Sequence, residues 1–207
     1  MKPFTVHTGV AAALLRDNID TDAIIPSREM KTVGKTGLAE GLFANWRYAD
    51  VQTRRPDPEF VLNRPEQAGT SVLLAGRNFG CGSSREHAVW ALAEWGIRAI
   101  VAPSFGAIFF DNCLRNGLLP LVLPETEVRE LAEAVQVDPQ ARPLTLDLSA
   151  GRLLGPWGLS RAIELAAEDR EMLLTGLDPI ERTRQLLSQI EAFEAADRRR
   201  FAWLYLS

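Results

Sequence analysis

Three short apolar runs, separated by two segments of helical period that each stop at a glycine, occupy residues 71–123 and constrain the fold more than any other feature. Ser71-Val72-Leu73-Leu74-Ala75 has the length of a buried strand. A glycine-rich turn, Gly80-Cys81-Gly82, leads into a predicted helix over residues 88–95, with Gly96 suited to the left-handed position just past it. Arg98-Ala99-Ile100-Val101-Ala102-Pro103 reads as a second strand. Residues 104–116 read as a second helix, starting on Ser104 as a cap and stopping at Gly117. Leu118-Leu119-Pro120-Leu121-Val122-Leu123 is the third run. Near-continuous apolar strands alternating with helices mark a parallel βαβαβ core in an α/β fold, covered on both faces.

At 207 residues, 46% hydrophobic and 24% charged, the chain has the composition of one globular domain. We expect a single domain over residues 1–207, with a core over about 1–165 and a C-terminal helical extension over about 166–207. A net charge of −4 without a long basic run argues against a nucleic-acid partner, and Arg198-Arg199-Arg200 reads as the solvated face of a terminal helix. Apolar stretches such as residues 96–110 are broken by Arg98, Pro103 and Ser104. They fall short of the roughly 18 unbroken apolar residues of a membrane span. Met1-Lys2-Pro3-Phe4 opens no cleavable signal pattern. Cys81 and Cys113 are too few for a four-thiolate metal site or a disulfide framework. The expectation is a cytoplasmic, reduced protein with no membrane and no metal ligands of its own.

Outside the core, Asp17-Asn18-Ile19-Asp20-Thr21-Asp22 is a polar, turn-rich cluster. Residues 26–67 read as one long elaborated loop, of the kind that is functional or ordered by a partner. Residues 125–135 read as a helix, and residues 144–148 and 152–154 as an antiparallel pair turning at Ala150-Gly151. Residues 178–203 read as one long helix with Leu186, Leu187, Ile190 and Phe193 on one stripe.

The motif that carries chemistry is Gly80-Cys81-Gly82-Ser83-Ser84-Arg85-Glu86-His87, where a buried strand hands over to a helix. Free N–H groups and the positive end of the helix dipole favour an anion there. Arg85 adds a planar fork that matches a carboxylate in two parallel hydrogen bonds. The same residues have a second reading, because Ser83-x-x-Glu86 is also a capping box. A lone histidine one turn into a helix, His87, is more often structural than a base. Cys81 could be a thiolate at a helix start. A dinucleotide fingerprint fails, since Arg85 stands at its third glycine position. A phosphate loop lacks its lysine, the nucleophile elbow is absent, and His7 and His87 are the only histidines for a hydrolase triad.

Asn78-Phe79-Gly80-Cys81-Gly82-Ser83-Ser84-Arg85-Glu86-His87-Ala88 resembles the signature of the small subunits of bacterial isopropylmalate isomerases, relatives of aconitase. The resemblance takes in Asp17-Asn18-Ile19-Asp20-Thr21-Asp22-Ala23-Ile24-Ile25-Pro26 and Leu42-Phe43-Ala44-Asn45-Trp46-Arg47-Tyr48. Pro56-Asp57-Pro58-Glu59-Phe60-Val61-Leu62-Asn63, Ala102-Pro103-Ser104-Phe105 and Asn116-Gly117-Leu118-Leu119-Pro120 extend it over about residues 5–125. It implies a swivelling β/β/α domain and a larger partner subunit carrying a [4Fe–4S] cluster on three cysteines, with no cofactor in this chain. It implies a hydro-lyase that turns 2-isopropylmalate into 3-isopropylmalate through an alkene diacid in leucine biosynthesis, active only with the partner. By resemblance, Ser83 is the residue that removes a proton beside a carboxylate, and Ser84 and Arg85 hold a substrate carboxylate.

Ser27-Arg28-Glu29-Met30-Lys31 departs from the family pattern in the loop that helps to select the substrate's side group. Arg28, Glu29 and Met30 are therefore candidate selecting residues, and Glu29 is awkward beside an isopropyl group unless Arg28 pairs with it. Two alternatives stay open: a paralogous hydro-lyase subunit for citraconate or dimethylmaleate, and a stand-alone carboxylate-binding module in which Ser83 only caps a helix.

Overall fold

Alternate residues of the strand over Thr70–Ala75 serve opposite layers: Leu73 and Ala75 join one buried cluster, Val72 and Leu74 the other. The next strand repeats this, with Ile100 and Ala102 in the first layer and Ala99 and Val101 in the second. A strand buried on both faces needs a cover on each, and fully burying each valine, leucine or isoleucine side chain contributes about 1.5–3 kcal/mol.

The computed structural model describes residues 1–30 and 34–205. Its main sheet is built from β1 (Val6–Leu14), β4 (Thr70–Ala75), β5 (Ala99–Ala102), β6 (Leu119–Val122), β7 (Leu144–Asp147), β8 (Arg152–Leu154) and β9 (Ser160–Ala162), while β2 (Tyr48–Asp50) and β3 (Arg55–Pro56) form a separate hairpin. The main sheet runs β6-β5-β4-β1-β7-β8-β9. The first four of these neighbours pair in parallel and the rest are antiparallel. The helices α3 (Glu86–Trp95) and α4 (Ala107–Arg115) make the β4–β5 and β5–β6 crossovers, as the residue pattern predicts. α3 covers the first layer with Ala88, Val89, Ala91 and Leu92. α5 (Glu125–Gln136) covers the second with Val128, Leu131, Ala132 and Val135. Gly96 ends α3 at φ +113°, in the left-handed region.

Three expectations are corrected. The second crossover helix starts at Ala107, flanked by Gly106 without a side-chain cap. Ser104 instead accepts a hydrogen bond on its Oγ from the Asn78 N–H at 2.8 Å, because residues 104–106 are spent strapping the glycine-rich turn. Second, residues 26–67 are not one loop but α2 (Ala44–Arg47), the hairpin and several 3-10 turns, ordered by the chain itself. Leu38, Leu42, Phe43, Phe60 and Leu62 are buried in the first layer. The Arg47 guanidinium donates to the carbonyls of Leu42 (2.9 Å) and Glu40 (2.5 Å) and lies over the Trp95 ring. Residues 31–33, with Lys31 of the departing stretch, lie outside the described residues.

Third, the long terminal helix is two, α7 (Pro179–Gln185) and α8 (Leu187–Arg200), separated at Leu186. No residue of either is buried, and Leu186, Leu187 and Phe193 stay exposed. With no core contact, local signals dominate this segment: Pro179 and an Asp178–Glu181 capping box start α7, and Arg182 pairs with Glu171 at 2.7 Å. By contrast α6 (Ala167–Thr175) packs Met172 and Leu173 into the second layer. Among the described residues no helix is long and apolar enough to cross a membrane.

Candidate functional site

The turn between β4 and α3 leaves the sheet at the carboxyl end of the parallel strands, where α/β folds place ligands. Two flanking segments hold it. On one side the Gly80 N–H donates to Ile19 O (2.7 Å) and the Thr21 N–H to Cys81 O (3.0 Å). On the other the Phe79 N–H donates to Ser104 O (3.0 Å) and the Gly106 N–H to Phe79 O (2.9 Å). Gly80 sits at φ +74°, and a Cβ there would lie 2.1 Å from Cγ of Phe109, so the ring fills the space a side chain would need. Asn78, at φ +56°, and Gly82, at φ +89°, make further left-handed steps in the same turn.

Beyond these glycines Ser83 and Ser84 are exposed, and among the described residues neither hydroxyl is engaged in a hydrogen bond. The capping-box reading of Ser83 is overturned. Helix α3 begins at Glu86, its flanking residue is Arg85, and no side chain caps it. Glu86 is therefore the first helical residue, too early to close a box with Ser83. Its carboxylate accepts from Asn116 Nδ2 at 2.8 Å and Trp90 Nε1 at 3.3 Å. The freed amides at the helix start and the dipole remain available to an anion.

Arg85 lies beside the serines and ion-pairs with Asp22. Thr21 is buried, and its hydroxyl donates to the Ser83 carbonyl at 3.0 Å. Asp20 accepts from the Ala23 N–H at 2.7 Å and so starts α1 (Thr21–Ile24). Residue reasoning named Asp20, Thr21 and Asp22 as a polar cluster without a role. Three consecutive polar residues just before an apolar Ala23-Ile24-Ile25 were the available signal.

Together Thr21, residues 80–85, residues 106–109 and Asn112 line a cleft of about 240 Å³. Hollows of about 470 and 600 Å³ lie elsewhere, but neither stands at a glycine-rich strand-to-helix turn. The chemistry, not the volume, singles out the smaller cleft. Burial, and then the Asp20 carboxylate, push the Cys81 thiol above its ordinary pKa, so a thiolate nucleophile is disfavoured. The His87 ring packs 4.8 Å from the Trp90 ring.

The candidate selecting residues do not line this cleft. Glu29 is turned inward and buried, bonded by Arg54 Nη2 at 2.5 Å with Arg28 Nε at 3.4 Å. Arg28 also donates to Asn45 Oδ1, and Met30 packs, partly buried, against the first layer. The carboxylate that stood out in the sequence is thus internally paired, chiefly with Arg54 rather than with Arg28 alone.

A glycine-rich turn at the carboxyl ends of parallel strands, two free serines, and an arginine suit the binding of a carboxylate and a proton transfer beside it. Comparison with known proteins identifies the family. The model of the aconitase C-terminal domain matches residues 1–126. The chain is 62% identical over 205 residues to the 3-isopropylmalate dehydratase small subunit of Cupriavidus necator, covering 99% of each. It is 47% identical over 211 residues to that of Methylibium petroleiphilum, covering 99% of this chain and 97% of the relative. The crystal structure of 3-isopropylmalate dehydratase (leuD) from Methanocaldococcus jannaschii superposes with a TM-score of 0.64 at 28% identity, covering 91% of this chain and 99% of that one. The chain belongs to the 3-isopropylmalate dehydratase small subunits, a family built on the aconitase C-terminal domain.

Proposed function

We propose that this chain is the small subunit of a hydro-lyase that interconverts 2-isopropylmalate and 3-isopropylmalate through 2-isopropylmaleate, in leucine biosynthesis. The observation that carries this reading is the 62% identity along the whole chain to a 3-isopropylmalate dehydratase small subunit. A large partner subunit completes the enzyme. The inward pairing of Glu29 with Arg54 supports isopropylmalate over another diacid.

In this reading Ser83 takes the proton from the carbon beside a substrate carboxylate, and Ser84 and Arg85 hold that carboxylate. Proton removal there builds negative charge on the held group, which the guanidinium and the amides at the start of α3 stabilise. The helix end contributes only about 0.3–1 kcal/mol when exposed. At roughly 1.4 kcal/mol per pKa unit it moves a serine hydroxyl by less than one unit. Arg85 and the loss of water when the cleft closes against the partner supply the rest of the activation.

The departing hydroxyl calls for a Lewis acid, which a [4Fe–4S] cluster on three cysteines of the partner supplies when bound. With two cysteines, one of them buried, this chain cannot supply three thiolate ligands, so in this reading the partner holds the cluster. In this reading the chain turns over substrate only in complex with that partner.

The test is anaerobic. The chain is mixed with a reconstituted cluster-bearing large subunit, and alkene absorbance is followed with 2-isopropylmalate, citraconate and dimethylmaleate. Turnover of isopropylmalate is expected. Turnover of another diacid alone moves the substrate, and no turnover by an assembled, cluster-loaded complex removes the hydro-lyase reading.

A further inference from the structure

We infer that Thr21 is a positioning residue for Ser83, an inference that rests on the reading of Ser83 as the proton-abstracting group. Thr21 is 2% exposed, and two of its groups grip the turn on either side of Gly82. Its N–H donates to Cys81 O at 3.0 Å, and its hydroxyl to Ser83 O at 3.0 Å. The Arg85 N–H donates to that same Ser83 carbonyl at 2.7 Å, so both of its lone-pair sites are taken.

A peptide plane with a pinned carbonyl has no freedom to rotate. Among the described residues every peptide bond is trans, so fixing the Ser83 carbonyl toward Thr21 aims the Ser84 N–H the opposite way. Among the described residues nothing accepts a hydrogen bond from that N–H or from the Ser83 N–H. Gly82 cannot impose the geometry itself, since glycine leaves the backbone the most conformational freedom of any residue. A hydroxyl at position 21 supplies the constraint that the glycine gives up. Thr21 touches no reacting atom; it acts through the Ser83 peptide, holding the serine and the Ser84 amide in one orientation in the cleft.

The test compares Thr21→Val, which removes the hydroxyl but keeps the branched shape, with Thr21→Ser, which keeps the hydroxyl. In the assembled two-subunit enzyme, Thr21→Val is expected to lower kcat about ten- to a hundredfold, with KM within about twofold, because misplacing a reacting group costs that much. Thr21→Ser is expected to restore most of the rate. In a Ser83→Ala background Thr21→Val is expected to add no further loss, as nothing remains to be positioned. An unchanged kcat in assembled Thr21→Val enzyme, or no rescue by serine, overturns the inference, whatever happens to Tm. Should Thr21→Val not assemble, Thr21→Ala is compared with Thr21→Ser in its place. If the wild-type complex turns over no diacid, the hydro-lyase reading fails separately. The clamp is then decided in the full chain by ¹⁵N NMR. Exchange-broadened or multiple resonances for residues 82–85 in Thr21→Val alone support it, and a single sharp set overturns it.

Discussion

Arg85 is ion-paired with Asp22, and the arginine is the better shielded of the two, at 29% side-chain exposure against 54%. The guanidinium that would receive a substrate carboxylate is thus already steered by a carboxylate one residue beyond Thr21. An exposed pair of this kind contributes only about 0–1 kcal/mol, so an incoming diacid can share or displace it at little cost.

That pairing sharpens the outcome for Arg85→Lys. Lysine offers a point charge, not a fork, and Asp22 is placed to capture it. We predict that KM for the diacid rises about ten- to a hundredfold, as befits a lost charge-assisted hydrogen bond, and that kcat falls as well. Steady-state kinetics of the assembled enzyme check this. An unchanged KM would remove Arg85 from carboxylate binding.

Ser83→Ala is predicted to lower turnover by orders of magnitude while leaving Tm unchanged. Because Ser83 caps nothing, the loss of about 1 kcal/mol that follows removal of a helix cap is not expected. A lower Tm with full turnover would return Ser83 to a structural role.

Glu29 and Arg54 form a pair in which the carboxylate is buried and the guanidinium is one-third exposed. Arg54→Met leaves Glu29 with only the longer contact to Arg28, and is predicted to destabilise the chain by about 1–3 kcal/mol. Replacing both, with Glu29→Leu and Arg54→Met, should recover most of that loss, since a paired apolar replacement of a buried ion pair is often neutral. Urea unfolding of the two variants decides it, and equal losses would show that the pair does not act as a unit.

Burial pushes the Glu94 carboxyl up, but three backbone N–H groups, from Gly37 (2.6 Å), Leu38 (2.5 Å) and Ala39 (2.9 Å), outweigh it and hold its pKa below the ordinary value. A depressed carboxylate pKa gives a stabilisation that is complete above the unfolded-state value of about 4.5 and is lost as pH falls through the lower folded one. Amide exchange of Leu38 and Ala39, corrected for intrinsic rates, should therefore accelerate as pH drops below that range. Glu94→Gln should show the faster exchange already at neutral pH. Exchange in Glu94→Gln equal to wild type would mean that other contacts hold this turn.

The parallel core was legible in the residues because its strands are buried on both faces, which writes itself as unbroken apolar runs between glycine-stopped helices. The glycine-rich turn was legible for a related reason: left-handed backbone and the close approach of Phe109 admit little but glycine at position 80. Whether Ser83 caps a helix or stands free was not legible. A serine three residues before a glutamate reads the same either way, and the answer depends on where the chain is released from its straps at Ile19, Thr21 and Ser104. The internal pairing of Glu29 with Arg54, 25 residues on, and of Arg85 with Asp22, 63 residues back, was equally hidden. Local sequence determined the elements of the parallel core, since propensity, pattern and turn chemistry act over a few residues. Only the tertiary structure decided the partners of each charge and hydroxyl, since those are set by which loops the sheet order brings to one edge.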